Sequence, residues 1–588
     1  MMVADYRAER SGLAEPKPSM QSTTTMDPDG DGFRPAGIER IQGEVYLDLK
    51  DDLNSEELAS LAKDWGISLR FSSLHGKRYN TVIASIQESE MEVWLERFQS
   101  DANVESCDPN YVFNHTAEPI ETKDFPNDPR YDEQWHMKMI KIEEAWPIST
   151  GKDVVTAVID TGVAYQDFED FHQVEDLDQT AFAKGYDFVN KRVEALDDQC
   201  HGTHVAGTIA QSTNNGKGVV GVAFGTKIMP VKVLSRSGGG TLADVADGIR
   251  FSADHGAKVI NMSLGGPFPS ASLEDAVAHA YHKGTIVVCA AGNSNTPRKE
   301  YPAGFPYAVS VSSVGTEGKR AFYSNHGDSI SFAAPGGDTR NYGSEGGVLQ
   351  NTIKPGNHQE SGYFAFQGTS MAAPHAAGVA ALVASTGVTN PKTIEWVLQK
   401  SADDVDAAPV EGFGAGILNA KEAVHLSGVT FKMIQLAIAM VLCLIAGVAM
   451  LRRKAIIHFA LMVPTAIWAS SGFFFVALLA PGSTAWSNFL TIGLPSWAIP
   501  LMGASHHGNP ILLSCLIPML VSIFVVEKPV LRALAAGLTV GFAAHLMFAA
   551  AMSTVSILYV PVFIGRLWLF ANGLFCVFLA IVLGEEHP

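Results

Sequence analysis

The chain has 588 residues, more than one hydrophobic core can organise, since single cores stop growing near about 250–300 residues. Its formal net charge is -19, and 58 of the 61 acidic residues precede Thr430, together with 35 of the 42 lysines and arginines. An acidic front followed by a nearly uncharged apolar tail argues against nucleic acid as a partner, and six cysteines without a CxxC pair point to neither a disulfide framework nor a thiolate zinc site.

Residues 1–37 are rich in Ser, Thr, Pro, Gly and Asp and poor in large apolar side chains, which predicts a disordered segment. Over 38–116 the pattern changes. Alternation in GEVYLDL, a polar-capped helical stretch in NSEELASLAKDWG, extended ISLRFSSL and TVIASI, a helical SEMEVWLERFQ and a closing VESCDPNYVF predict the order βαββαβ, a small two-layer α+β unit. Residues 117–429 open with a polar linker and continue as strands alternating with helices. VVTAVID, TKIMPVKVL, AKVINMSL, GTIVVCAAG and AVSVSSV are continuous Val- and Ile-rich runs, as expected of parallel strands covered on both faces. LADVADGIRFSADHG, SLEDAVAHAYHKG and APHAAGVAALVAS supply the helices, so a three-layer α/β domain with a mostly parallel sheet is predicted.

Residues 430–588 carry long apolar stretches at 433–451, 455–480, 511–526, 533–552 and 567–583, with a Pro-broken one at 489–503. About 20 apolar residues cross a bilayer as a helix. A transmembrane bundle of five or six helices is expected, with LTIGLPSWAIPLMG as a candidate re-entrant segment.

Three segments of the α/β domain pair a reactive side chain with a Gly-rich surround: VIDTGV around Asp160, CHGTHVAGT around His201 and GTSMAAPH around Ser370. Amide hydrolysis needs a nucleophile, a base to take its proton and an anion that fixes the tautomer of that base. Ser, His and Asp meet those needs, and the three strings in the order Asp, His, Ser resemble the subtilisin-like serine proteases (peptidase family S8). The resemblance implies that Ser370 attacks the scissile carbonyl, that His201 serves as base and then acid, and that Asp160 orients the imidazole. His204 is left to helix packing. Asn293 in AAGNSN stands where this family supplies an oxyanion donor, with the Ser370 backbone amide as the second. No cofactor is required for this chemistry.

The same resemblance extends to binding. SGGGT, with Gly238, Gly239 and Gly240, and NMSLGG, with Ser263, Leu264 and Gly265, resemble the two edges between which subtilases hold an extended peptide; ordinary Gly-rich loops are the alternative. Glu300, before Tyr301 and Pro302, resembles the floor of the pocket for the residue preceding the cut, where its charge would favour Lys or Arg unless Arg298 and Lys299 neutralise it. Asp128, Asn215 in TNNGKGV and Asp176 resemble the ligands of a structural Ca²⁺ site, with a metal-free turn as the alternative. Cys200, beside the catalytic imidazole, departs from the family's small residue and is either a reactive thiol or an inert buried one.

The unit at 38–116 resembles the ferredoxin-like subtilase propeptide, an intramolecular inhibitor, and implies self-cleavage between about Val112 and Phe125. Arg452, Arg453 and Lys454 after the first span predict an extracytoplasmic catalytic domain in an integral membrane protein of the cell membrane; the opening residues lack the apolar run of a secretory signal, which stands against that side. His545 and Arg566 lie within apolar stretches, where ionisable groups are costly. Protein substrates and the lipid bilayer are the expected partners. The competing reading is a catalytically inactive subtilase-fold module that binds peptides for a membrane sensor or transport component. In a third, the helices are the functional core and the protease an accessory.

Overall fold

The computed structural model describes residues 40–50, 52–72, 80–111, 125–405, 412–452, 458–474, 490–497, 501, 509–525, 528–557 and 560–583. The expected disordered segment at 1–37 and the linker after Val112 lie outside them. The chain divides into two compact units, Met1–Thr122 and Lys123–Pro588.

The first unit is built from β1 (Arg40–Leu49), α1 (Ser55–Trp65), β2 (Ser68–Phe71), β3 (Thr81–Ser85), α2 (Met91–Gln99) and β4 (Val104–Tyr111). The strands form one antiparallel sheet in the order β2-β3-β1-β4. Alternate residues Val45, Leu47 and Leu49 of β1 share a core with Leu58, Trp65 and Phe98 of the helices, as the two-residue period of a strand requires. Asn54 and Glu57 cap α1 reciprocally, and Gly66, at φ 72°, ends it in the left-handed region that glycine adopts without strain.

In the second unit, β5 (Val155–Asp160), β6 (Tyr186–Asp187), β7 (Lys227–Lys232), β8 (Val259–Met262), β9 (Ile286–Ala290), β10 (Ala308–Val314) and β11 (Phe332–Pro335) form a seven-stranded sheet ordered β11-β10-β9-β8-β5-β7-β6. Every pairing in it is parallel. Both faces are covered. Val158 of β5 joins one core with Val205 and Ala376, whereas its neighbours Ala157 and Ile159 join another with Val245 and Ala276. The first core packs α5 (His201–Ala210) and α9 (Thr369–Ser385) on the sheet; the second packs α6 (Leu242–Asp254) and α7 (Ala271–His282). Shorter helices α3 (Trp135–Met139) and α4 (Ile142–Ala145) precede β5, α8 (Thr339–Tyr342) follows β11, and α10 (Pro391–Ser401) follows α9.

The hairpin of β12 (Val348–Lys354) and β13 (Asn357–Phe366) is absent from the sequence expectation, as are β6 and β11. β6 has two residues, β11 is mostly small ones, and β13 is largely half-exposed and polar, so none carries a long apolar run.

The helical region does not begin at a break near Thr430. α11 (Ala420–His425) runs through a π-helical stretch, Leu426–Thr430, into α12 (Phe431–Arg452), and the whole forms one 33-residue helix. α13 (Phe459–Ser471), α14 (Leu516–Val525), α15 (Pro529–Met552) and α16 (Val562–Val582) follow. Among the described residues three helices are long and apolar enough to cross a membrane: Ala420–Arg452, Val530–Met552 and Val562–Val582. The apolar stretches at 455–480 and 511–526 contribute the shorter helices α13 and α14. α15 is the central helix, and a Cβ on its Gly537 would come within 2.4 Å of the Met462 carbonyl of α13, so the two backbones touch. His545 is buried on α15 with Nδ1 bonded to the Ser470 carbonyl at 2.9 Å, and Arg566 caps the same helix by donating Nε to the Ala550 carbonyl at 2.8 Å.

Candidate active site

β5 has β7 on one side and β8 on the other, so the strand order reverses there and a crevice opens beyond the carboxyl ends of the strands. Asp160 is the last residue of β5, His201 the first of α5 and Ser370 the second of α9. The fully buried Asp160 accepts from His201 Nδ1 at 2.7 Å and from the Thr161 amide at 2.8 Å, both through Oδ1. A carboxylate can only accept, so Nδ1 carries the proton and Nε2 is left as an acceptor. Burial works against the imidazolium, but the charge and hydrogen bond of Asp160 outweigh it and raise His201 above its ordinary value.

Ser370 Oγ donates to the Ser263 carbonyl at 3.1 Å, and Ser263 Oγ returns a bond to the Ser370 carbonyl at 2.7 Å. The two residues thus fasten the start of α9 to the edge that follows β8. Asn293, just beyond β9, has its Oδ1 held by the amide and the hydroxyl of Thr369, each at 2.9 Å. That grip directs Nδ2 to the Ser370 side of the crevice, 3.5 Å from where a Cβ on Gly368 would stand.

Several positioning residues escaped the sequence reading. Asp197, fully buried, accepts from Thr161 Oγ1 at 2.8 Å, from the Thr203 amide at 2.9 Å and hydroxyl at 2.6 Å, and from the amides of Gln199 and Cys200 at 2.9 and 3.1 Å. Gln199 Oε1 accepts from the His201 amide at 2.9 Å, and Thr161 Oγ1 from that of Gly202 at 2.9 Å. These bonds satisfy the amides at the start of α5, whose N-cap, Cys200, has no capping side-chain oxygen. An acidic residue just upstream of the Gly-rich histidine motif was the available signal. Cys200 is buried, and that burial, with the charges of Asp197 and Asp160 added, pushes its thiol up to about 12, which favours the inert alternative. His204 donates Nε2 to the carbonyls of Val348 at 3.0 Å and Phe364 at 3.1 Å and stacks on Phe366, and burial lowers its pKa to about 3.

A cleft of about 550 Å³ passes His201. Gly238, Gly239 and Gly240 line one edge and Ser263, Leu264 and Gly265 the other, with apolar Leu234, Leu242 and Phe268 between and beyond them. Glu300 is not ion-paired to Arg298 or Lys299; its Oε1 accepts from Asn325 Nδ2 at 3.1 Å and Ser294 Oγ at 3.3 Å. Its Oε2 lies 3.5 Å from where a Cβ on Gly265 would be, and so faces the cleft edge that carries Gly265.

Asp128, Asp176 and Asn215 are brought together. Asn215 Nδ2 donates to Asp176 Oδ1 at 2.9 Å, the Val219 amide to Asp176 Oδ2 at 2.9 Å, and the Asn214 amide to Asp128 Oδ2 at 2.7 Å. Asp128 Oδ1 is buried without a partner, and burial pushes the Asp176 carboxyl up to about 7, with the charges of Asp128 and Asp178 adding to the rise. Among the described residues no three His, Cys, Asp or Glu side chains gather as a metal cage, so any cation here would draw on amide and backbone oxygens as well.

A strand-end carboxylate bonded to a histidine, a serine at a helix start and an extended cleft between two edges define a hydrolase of peptide-like chains. The subtilase family matches residues 151–416, and residues 416–587 match a domain of unknown function, DUF5942. The chain is 36% identical over 388 residues to a thermophilic serine proteinase of Bacillus sp. (strain AK1), covering 65% of this chain and 88% of that one. It is 35% identical to thermitase of Thermoactinomyces vulgaris over 301 residues, 51% of this chain and 99% of that one, and 37% identical to subtilisin Savinase of Lederbergia lenta over 278 residues, 47% and 91%. The chain belongs to the subtilase family and is a serine-type endopeptidase.

Proposed function

We propose that this endopeptidase works through an Asp160–His201–Ser370 triad and an acyl-enzyme. The carrying observation is the 2.7 Å bond from His201 Nδ1 to buried Asp160, with Ser370 at the head of α9 bonded to Ser263, which lines the same cleft as His201. For attack, the Ser370 hydroxyl leaves the Ser263 carbonyl and turns to His201 Nε2, which takes its proton as Oγ bonds to the scissile carbon. Asn293 Nδ2 and the Ser370 amide then face the oxyanion, and the His201 proton passes to the leaving amine. Water repeats the sequence on the ester. A fluorophosphonate probe should label wild-type protein on the peptide containing Ser370; absence of labelling in folded protein would favour the inactive peptide-binding module.

Glu300 is the proposed floor of the pocket for the residue before the cut. Matched peptides with Arg or Leu at that position should differ in kcat/KM by about tenfold in favour of Arg, and Glu300→Gln should erase the difference. Equal rates for both peptides in the wild type would remove the charge from the account.

A structural Ca²⁺ fits the unpaired Asp128 oxygen and the neighbouring Asp176 carboxylate, with Asn215 turned to present its oxygen. Chelation should lower the thermal midpoint by on the order of 5 °C, with no such response in Asp128→Ala.

The first unit is proposed as the inhibitor-type propeptide. Its support is the sheet order β2-β3-β1-β4 with two helices, the ferredoxin-like arrangement, directly ahead of the catalytic region. Membrane anchoring is supported by the three long apolar helices and by lipid-type exposure along them, such as Leu444 at 67%, Phe563 at 71% and Phe578 at 60%. With Arg452 at the far end of α12, the catalytic domain is proposed to face outward. A tag inserted in the exposed β12–β13 turn, between Pro355 and Gly356, should react with a membrane-impermeant reagent on intact cells; reaction only after lysis would reverse the side.

A further inference from the structure

We infer that the catalytic cleft is held about 25 Å from the helical block and opens away from it, so that the enzyme cuts free chains, or segments standing well clear of the bilayer, rather than bonds at the membrane surface. This rests on the membrane reading of that block. The distance comes from α9, whose 17 residues at about 1.5 Å each span roughly 25 Å. Its first turn carries Ser370. The chain just past its last turn is fastened to the block: the Thr389 and Asn390 amides donate to the Thr554 carbonyl at 2.8 and 3.1 Å, and Thr393 Oγ1 donates to the Ser553 carbonyl at 2.6 Å.

The sheet gives the same direction independently. Gly284, which precedes β9, would place a Cβ 3.6 Å from that of Ser556, and Lys258, which precedes β8, donates Nζ to the Gly284 carbonyl at 3.2 Å. The starting ends of β8 and β9 therefore face the block. Asp160, Ser263 and Asn293 all stand at or beyond the finishing ends of parallel strands, at the opposite edge of the sheet. None of the residues lining the cleft belongs to the helical block. The lipid level is marked by Met433 and Ile434, exposed by 52% and 42%, just past the point where Thr386 at the end of α9 packs on Gly428.

An extended chain covers at most about 3.6 Å per residue, so a membrane-bound substrate needs roughly seven or more residues merely to climb to the cleft. A shorter stalk lowers the effective concentration of the scissile bond to near zero however well its sequence fits.

The test uses the full chain in phosphatidylcholine–phosphatidylglycerol vesicles. One cleavable sequence is supplied free in solution and joined to a lipid anchor in the same vesicles by Gly/Ser spacers of about 3, 10 and 30 residues. Free substrate and the longest spacer should be cut, and the shortest should be slower than the longest by at least about 100-fold. If enzyme that floats with the vesicles cuts all spacers equally, or the shortest fastest, the height is wrong while anchoring stands. If the enzyme does not float with vesicles yet cuts the free sequence, anchoring fails and the height inference with it.

Discussion

Ser370→Ala is expected to lower turnover of a peptide substrate by about 10⁶-fold, a magnitude known for the same loss in a subtilisin. In the proposed triad the nucleophile, its base and the orienting carboxylate act as one unit, so removing the first leaves the other two with no proton to move. The substitution deletes one hydroxyl whose bond is to the Ser263 carbonyl at 3.1 Å, and the reverse bond from Ser263 to the Ser370 carbonyl remains to fasten α9. The fold should therefore survive, with an unchanged thermal midpoint as the control. Mass spectrometry of the same variant should find the linker between about Val112 and Phe125 uncut, and cleavage there regardless would mean that another protease performs it. Retention of more than about a hundredth of wild-type turnover would place the nucleophile elsewhere.

Asn293→Ala should cost about 10²–10³ in kcat with little change in KM, again a magnitude taken from a subtilisin. The reason is differential: in the proposed mechanism Nδ2 faces the place where negative charge develops, and a donor that matters only once charge has formed strengthens in the transition state. Thr369, which grips Asn293 Oδ1 through two bonds, keeps that amide from rotating. Thr369→Val is a gentler probe of the same geometry and should lower kcat without touching the donor itself. A rise in KM alone for Asn293→Ala would assign the residue to ground-state binding instead.

How much of this was legible in the sequence depended on the range of the interaction. Strands β5 and β7 to β10 announce themselves because a strand buried on both faces reads as a near-continuous apolar run; α6 and α7 follow from the residues between them, and α9 from its own Ala-rich run. The hairpin β12–β13 is half-exposed and largely polar, which leaves no run to read. The nearness of Asp160 and His201 could be expected only through the ordered motifs of the family, since nothing in either segment alone encodes it. Asp197 carries no periodic signal, because its work is to collect amides and hydroxyls from around the start of α5. The bonds from Thr389 and Asn390 to Thr554 cross more than a hundred and sixty positions and involve only main-chain atoms on both sides, so no side chain records them.

On the membrane reading proposed above, the unbroken helix from Ala420 to Arg452 bears on whether the catalytic head can ever be set free. Shedding such a head would take a nick in a loose stalk, because a protease needs several residues of unfolded backbone to grip. Between Asn419 and Arg452 this chain offers none: every residue is already wound into helix, and Ala423 and Val424 are fully buried in the core of the head. Release along that route would demand melting part of the enzyme first, so a soluble form generated there would arrive damaged.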